Sequence, residues 1–466
     1  MAERGFHLGI DYGTSMSKLV FRDYGGPGGE RAFVVVEPSG FRIPSGVVSR
    51  ADKLVLGVTS SDPRPEGEVQ YESIKMRVAE EAVGNATRFH YGPKPPFPSG
   101  FNARDLATLT VWWLISFGHR AVEERLAQTG GGELFIGMTL GIPMSFYDDV
   151  SIRNEFLKIA KTAWRLSRHR GLLAAQAEID LAEARKALDE CKDHDVESLS
   201  KDGIRDWVRS EAEAAMWWAF QSPSVLDGPF AQVDVGAGTT NASLFRMTST
   251  LSEGRRVKDA LAFFAACSEP VGMDAIDELV YPAAGPDSAG PISLRGTEDH
   301  VIDQGGFGDR VKSFVRDKVW EAYRKCWIAT SKKIFESAAE RTAWGRHKVF
   351  LVGGGSLVRA VAWALPFHPS DNGHTRMQVQ QLEVPNDLYM ARTAQTTMGS
   401  VWNKLLGRPV FETRPQQADL PFVAVAYGLS AMGIIIPEIS TPGEMPPMPP
   451  PSRGPGRLGR DDIYPK

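Results

Sequence analysis

The chain has 466 residues, 42% of them hydrophobic and 24% charged, a composition that excludes disorder as the whole answer and supplies apolar side chains for more than one core. Its formal net charge of -4, from 53 Lys and Arg against 57 Asp and Glu, offers no basic footprint for nucleic acid and no polybasic membrane anchor. Single cores stop growing at roughly 250 to 300 residues, so two to four compact units are expected. Residues 6 to 60 read as short strands between Gly-rich turns: FHLGID, KLVF, AFVVVE, SGVV and LVLG. Helical periodicity follows over 103–129, then the buried-strand run LFIGMTLGIP and a second helix from Ser151. The segment AQVDVGAGTTNASLF opens a second β-rich passage near 231. A charged helix over 311–339 and the strand VFLVGG come next, and apolar Ala424 to Ile436 closes the folded part. This order predicts an α/β protein built on mixed sheets.

Three segments read as additions. Residues 165–209, rich in Ala, Glu, Lys, Arg and Asp, suggest a solvated helical insertion. Residues 366–420 carry turn formers, Gln pairs and isolated apolar clusters, and take no assignment. After Ile436 Pro and Gly dominate, so 437–466 is expected to be a disordered tail, with a polyproline II docking peptide as the alternative. Cys191, Cys267 and Cys326 lie far apart in the chain without a C-x-x-C pair, so neither a disulfide framework nor a zinc knuckle is expected. The run Val111 to Phe117 is too short to span a bilayer, and MAERGFHLGIDYG has no charged-then-apolar leader. A reducing, cytoplasmic setting is expected, with small ligands or proteins as partners and neither membrane nor nucleic acid.

The most informative feature is an internal echo. Leu8 to Phe21 reads LGIDYGTSMSKLVF, and Gln232 to Phe245 reads QVDVGAGTTNASLF; each is strand, Asp, a turn with Gly and Thr, then strand. Glycine lets successive backbone N–H groups turn around a phosphate, Thr and Ser hydroxyls add donors, and Asp at a strand end can hold hydrated Mg²⁺. One such hairpin is weak evidence, because a plain tight turn explains it as well. Two copies more than two hundred residues apart suggest a pair that grips one polyphosphate from opposite sides. A third element, VFLVGGGSLV, places Gly353, Gly354, Gly355 and Ser356 between a strand and a helix, a close-approach surface for a flat ligand or sugar. There is no G-x-x-x-x-G-K-[ST], and Gly236-Ala237-Gly238 lacks the third glycine of a dinucleotide fingerprint.

These three elements, in this order, resemble the phosphate-1, phosphate-2 and adenosine motifs of the actin, sugar-kinase and heat-shock ATPase superfamily. The strongest likeness is to the ATPase domain of heat-shock protein 70. Further segments carry it: Phe41-Arg-Ile-Pro44-Ser45 with Leu54-Val-Leu-Gly57, Tyr71-Glu-Ser-Ile-Lys75-Met-Arg77, Met138-Thr-Leu-Gly-Ile-Pro143-Met-Ser-Phe146, Glu211-Ala-Glu-Ala214-Ala215, and Ala424-Val-Ala-Tyr427-Gly428. The resemblance covers residues 6 to 436 in patches. It implies an actin-like fold of two ribonuclease H-like lobes around a nucleotide cleft: residues 1–220 as lobe I, with helix 424–436 packing back on it, and 221–423 as lobe II, with 366–420 as an insertion.

By matching position, Asp11, Gly13, Thr14 and Ser15 form the first phosphate turn, and Asp234, Gly236, Gly238, Thr239 and Thr240 the second. Asp11 and Asp234, with Asn241 through water, are implied to hold Mg²⁺ beside ATP or ADP. Lys75 is implied to neutralise charge on the γ-phosphate and Glu211 to position the attacking water. Gly353 to Ser356 are implied to hold the adenosine, with Gly272 nearby and Lys332 at the adenine edge. Bland readings stand beside these: Lys75 as a surface lysine, and Glu211 as a helix N-terminal residue complementing the dipole.

This sequence departs from the pattern at Asn241, where the family has Asp, at Phe422 and Val423, where it has an acidic pair, and at Leu357, where it has an adenine-stacking Arg. Reduced turnover, no potassium requirement and backbone-based adenine recognition are the expected consequences. No peptide-binding domain follows residue 436 in this sequence, so the expectation is an ATP-hydrolysing switch that acts on a separate protein partner. The alternatives are an actin-like filament former, a small-molecule kinase and a binding-only member.

Overall fold

The structure, a computed structural model, describes residues 3–26, 29–36, 40–58, 66–84, 95–129, 133–171, 173, 178–191, 201–222, 224–252, 255–280, 302, 306–334, 342–366, 376–392, 414–431 and 438–444. In chain order its strands are β1 (Glu3–Asp11), β2 (Met16–Asp23), β3 (Arg31–Val36), β4 (Ile43–Pro44), β5 (Gly46–Arg50), β6 (Lys53–Val58), β7 (Val69–Tyr71) and β8 (Glu133–Ile142). They continue with β9 (Glu178–Asp180), β10 (Val208–Ser210), β11 (Gly228–Val235), β12 (Thr240–Ser252), β13 (Arg255–Glu269), β14 (Lys348–Val352), β15 (Leu388–Arg392) and β16 (Glu438–Ser440). The chain is a mixed α/β protein, as the alternation of periodicities predicts.

Period-2 apolar residues Phe6, Leu8 and Ile10 make β1 a strand, and the turn after Asp11 folds β2 back on it, with Asp11 opposite Lys18. The first sheet has the order β10-β8-β1-β2-β3-β15, with β4 against β2. Strands β1, β2 and β3 form an antiparallel meander, while β8 and β10 run parallel to β1 on its other side. The second sheet, β14-β11-β12-β13-β16, repeats this plan: β11, β12 and β13 form a meander and β14 lies parallel to β11 on the far side. The sequence echo is thus also an echo of topology. A third, antiparallel sheet has the order β7-β5-β6-β9.

Helix Ala103–Gln128 starts at Asn102, whose side chain accepts from the Asp105 N–H while the Asp105 carboxylate accepts from the Asn102 N–H. It packs against helix Val150–His169 and is buried on almost every face, which explains its run of apolar residues through Phe117. One core joins the first sheet, these helices, helix Glu211–Gln221 and one face of the second sheet through Phe230, Phe245, Phe263 and Phe350. A second core covers the opposite face of that sheet with helices Met273–Val280, Gly308–Phe314, Trp320–Ile334 and Arg359–Ala364. The charged helix expected over 311–339 is broken by a π-helical turn at Val315–Val319, and its residues 335–339 lie outside the described set.

Three expectations are corrected. The described part of segment 165–209 is tied into the fold rather than a solvated helix alone: β9 pairs with β6, β10 pairs with β8, and Ala184, Ala187, Leu188 and Cys191 form a buried helical stripe. Segment 366–420 is not confined to the second half: Val379 bridges Val349 of β14 there, but β15 lies parallel to β3 at the edge of the first sheet. Asp387 anchors it there by accepting from the buried Arg22 at 2.6 Å. The expected tail begins as structure, because β16 pairs with β13 and Ile439 is buried, while residues 445–466 lie outside the described set. The closing helix runs Leu420–Leu429 and packs on β1, β2 and helix Glu211–Gln221, with 432–436 outside the described residues. The three cysteines are free thiols, and the fold brings Cys326 beside β12, where its Sγ donates to the Ala242 carbonyl opposite Cys267. Among the described residues no helix is long and apolar enough to cross a membrane.

Candidate functional site

The two echoed turns face one another across a cleft. Asp11, Gly13, Thr14 and Ser15 line one wall, and Asp234, Gly236, Thr239 and Asn241 the other. The cavity between the walls is about 110 Å³ and opens to solvent at its mouth. β4 straps the first turn: Met16 pairs with Pro44, the Ser45 N–H donates to the Ser15 carbonyl at 2.9 Å, and the Ser17 and Ser45 hydroxyls are hydrogen-bonded at 2.7 Å. The second turn is fastened to the start of helix Met273–Val280. The Met273 and Asp274 N–H groups donate to the Gly236 and Ala237 carbonyls at 2.9 and 2.8 Å.

Gly272 permits that fastening, since a Cβ there would stand 2.3 Å from the Ala237 carbonyl oxygen. Gly272 therefore supports the second turn and is not among the residues lining the cleft. Thr240 likewise faces inward, its hydroxyl donating to the Val271 carbonyl at 2.6 Å. Gly238 belongs to the turn but is not a lining residue.

The glycine cluster after β14 forms the end wall through Gly353, Gly354 and Gly355. Gly353 has φ of 76°, and a Cβ on it would lie 2.1 Å from the Asp234 Oδ1, so both backbone and space require glycine. Ser356 is corrected from a ligand contact to a turn former: its hydroxyl donates to the Gly353 carbonyl at 2.7 Å, and it does not line the cleft. Lys332 is corrected as well. It is exposed on helix Trp320–Ile334, which packs on β12 and β13, and is not a cleft residue.

Lys75 and Glu211 meet at the cleft floor, both buried and joined by an ion pair. Glu211 opens the helix after β10, whose N-cap Ser210 accepts from the Glu213 N–H. Lys75 sits in the first turn of helix Ile74–Val83, where Ser73 holds a left-handed φ of 52°. The bland reading of Lys75 fails, because it is not on the surface; that of Glu211 stands in part, since it opens its helix in the first turn while its carboxylate pairs with the buried lysine.

The floor is crowded with negative charge. Burial pushes the Glu211 carboxyl above its ordinary range, against the pull of Lys75. Burial, then Glu211 and Asp11, push the Asp234 carboxyl up to about 7. Carboxylates that repel one another in this way fit a hard divalent cation bound through oxygen. Among the described residues no group of three or more His, Cys, Asp or Glu is placed to hold a metal ion; Asp11, Asp234 and Asn241 all line the cleft. The Asn241 Oδ1 already accepts from the Ser268 hydroxyl at 2.6 Å, and Ser145 donates to Ser268 at 2.6 Å, which leaves Asn241 less capacity for water.

Among the lining residues that sequence reasoning did not assign to the site are Lys18, Arg42, Met273 and Asp277. Lys18 was readable, because a tight hairpin after Asp11 sets it directly opposite, and it donates to the Asp11 Oδ2 at 3.0 Å. The other three reach the cleft only through tertiary packing. No family model matches the chain, and no curated protein matches it.

Proposed function

We propose that this chain is an ATP-binding, slowly hydrolysing switch on an actin-like ATPase fold, with two ribonuclease H-like lobes around one nucleotide, in the manner of heat-shock protein 70. The observation that carries the reading is the convergence of two topologically equivalent Asp-turn-Thr hairpins on one cleft, with a buried Lys75–Glu211 pair between them. The Gly13–Ser15 and Gly236–Thr239 turns offer backbone N–H groups and hydroxyls to the phosphates. The glycine wall at 353–355 admits the adenosine at close range. Lys75 holds positive charge where the γ-phosphate departs, and Glu211 accepts a proton from, or orients, the attacking water. Bound Mg²⁺ supplies neutralisation of the phosphate charge. Asn241, tied to Ser268, supports slow turnover.

The partner is proposed to be a protein and the setting cytoplasmic. Lys75→Ala is expected to abolish ATP hydrolysis while nucleotide binding persists; retained turnover excludes this role for the lysine. Capture of a defined protein from native lysate, with ATP but not without it, tests the switch. The comparison chain should end after Glu444, so that β16 is kept.

A further inference from the structure

Three basic residues line the cleft, and they differ in how they are neutralised. Lys18 is paired with Asp11 and Lys75 with Glu211. Arg42 has no ion pair or hydrogen bond among the described residues; its guanidinium lies 5.0 Å from the centroid of the Phe422 ring. A half-buried guanidinium that faces a cavity with its donors uncommitted calls for an anion.

Its position is fixed from both sides. Arg42 immediately precedes β4, the strand that straps the first turn at Met16 and Ser17. Phe422 is held against the glycine wall: the Gly353 N–H donates to the Pro421 carbonyl at 3.0 Å, and a Cβ on Gly354 would stand 2.6 Å from the Phe422 ring. Phe41 meets the same ring edge-on at 5.9 Å. A guanidinium lying over an aromatic face keeps its in-plane N–H edge free, which is the edge that takes phosphate in bidentate fashion.

We propose that Arg42, carried on the Phe422 ring, is the phosphate-contacting arginine of this cleft, so that the pair selects ligands bearing a di- or triphosphate. The inference rests on the nucleotide reading above. Phe422, which in sequence looked only like the loss of an acidic cation site, becomes the platform for a positive charge built into the chain.

Titration calorimetry on the full chain with ATP, ADP, adenosine and pyrophosphate tests this, using wild type, Arg42→Ala, Arg42→Lys and Phe422→Leu. Arg42→Ala should weaken ATP and pyrophosphate by about 10- to 100-fold and leave adenosine within about twofold. Arg42→Lys should fall between, and Phe422→Leu should cost about 3- to 10-fold for ATP and for pyrophosphate. Wild-type ATP and pyrophosphate affinity in Arg42→Ala overturns the assignment, as does an equal loss of adenosine, which marks a structural role. Pyrophosphate binding that depends on Arg42, without any adenine-nucleotide binding, keeps the anion contact and removes the ATP reading. Binding of neither by the wild type removes both.

Discussion

Lys75 donates to Glu211 across 136 positions of chain, and both side chains are almost sealed from solvent. A buried pair of this kind is worth little as a net stabiliser, but leaving one partner alone is costly, at roughly 3 to 5 kcal/mol. Lys75→Ala should therefore lower unfolding stability by up to about that amount in urea titrations, less where Glu211 takes up a proton. The double variant Lys75→Met with Glu211→Leu should regain most of the loss while remaining inactive. Equal stability of wild type and Lys75→Ala would place the pair in water rather than in the floor of a cleft.

The raised Asp234 carboxyl gives a signed pH dependence. Its ordinary value is 3.8 and its folded value about 7, so the folded chain favours the protonated form. Stability contributed this way is fully present below about pH 4 and declines as pH rises through 7, with a slope of up to about 1.4 kcal/mol per pH unit. Thermal melts of ligand-free protein between pH 5 and 8 in a chelator should show that decline, and Asp234→Asn should flatten it. A decline of the same size in Asp234→Asn would assign it to another group.

Gly353 combines a left-handed backbone with contact to Asp234 and the Val235 carbonyl. Gly353→Ala is expected to destabilise by more than about 1 kcal/mol from backbone strain alone and to displace the end wall. The neighbouring exposed Leu357→Ala should change stability by less than about 0.5 kcal/mol. Comparing the two melts separates cleft geometry from general sensitivity of the turn.

Docking of β15 depends on Arg22, whose Nη1 donates to Asp387 at 2.6 Å and to Glu30 at 2.8 Å, while the Tyr427 hydroxyl donates to Asp387 at 2.8 Å. Asp387 is 28% exposed and Glu30 remains as a partner, so Asp387→Ala should cost about 2 kcal/mol, below the figure for a sealed pair. Faster hydrogen exchange at Leu388–Arg392 should accompany it. Unchanged exchange there would show that β15 is held by its ladder alone.

Much of the framework was legible because it rests on local pattern. Alternation marked β1 to β3, β11, the start of β12 and β14, and the repeated Asp-Gly-Thr text located both turns. What failed was whatever depends on distant partners. β15 and β16 are short strands whose identity comes from the sheet edges they join, and the stripe Ala184, Ala187, Leu188, Cys191 reads as polar until its buried face is seen. Ser356 and Thr240 carry hydroxyls of the right kind, but backbone carbonyls claim them. Lys332 failed for a simpler reason: its helix packs on β12 and β13 away from the cleft, so Lys332 is exposed and the next residue, Lys333, donates to the Phe264 and Pro442 carbonyls.

Titration calorimetry of Mg·ATP into the intact chain tests the central claim most directly, alongside Thr14→Val with Thr239→Val, near-isosteric changes that remove one hydroxyl from each wall. Wild type is expected to bind one nucleotide per chain with a dissociation constant of about 1 to 100 μM. The paired variant should bind at least about tenfold more weakly with its melting temperature preserved. An absence of binding by the wild type, or equal binding by both, would contradict a nucleotide held between the two turns.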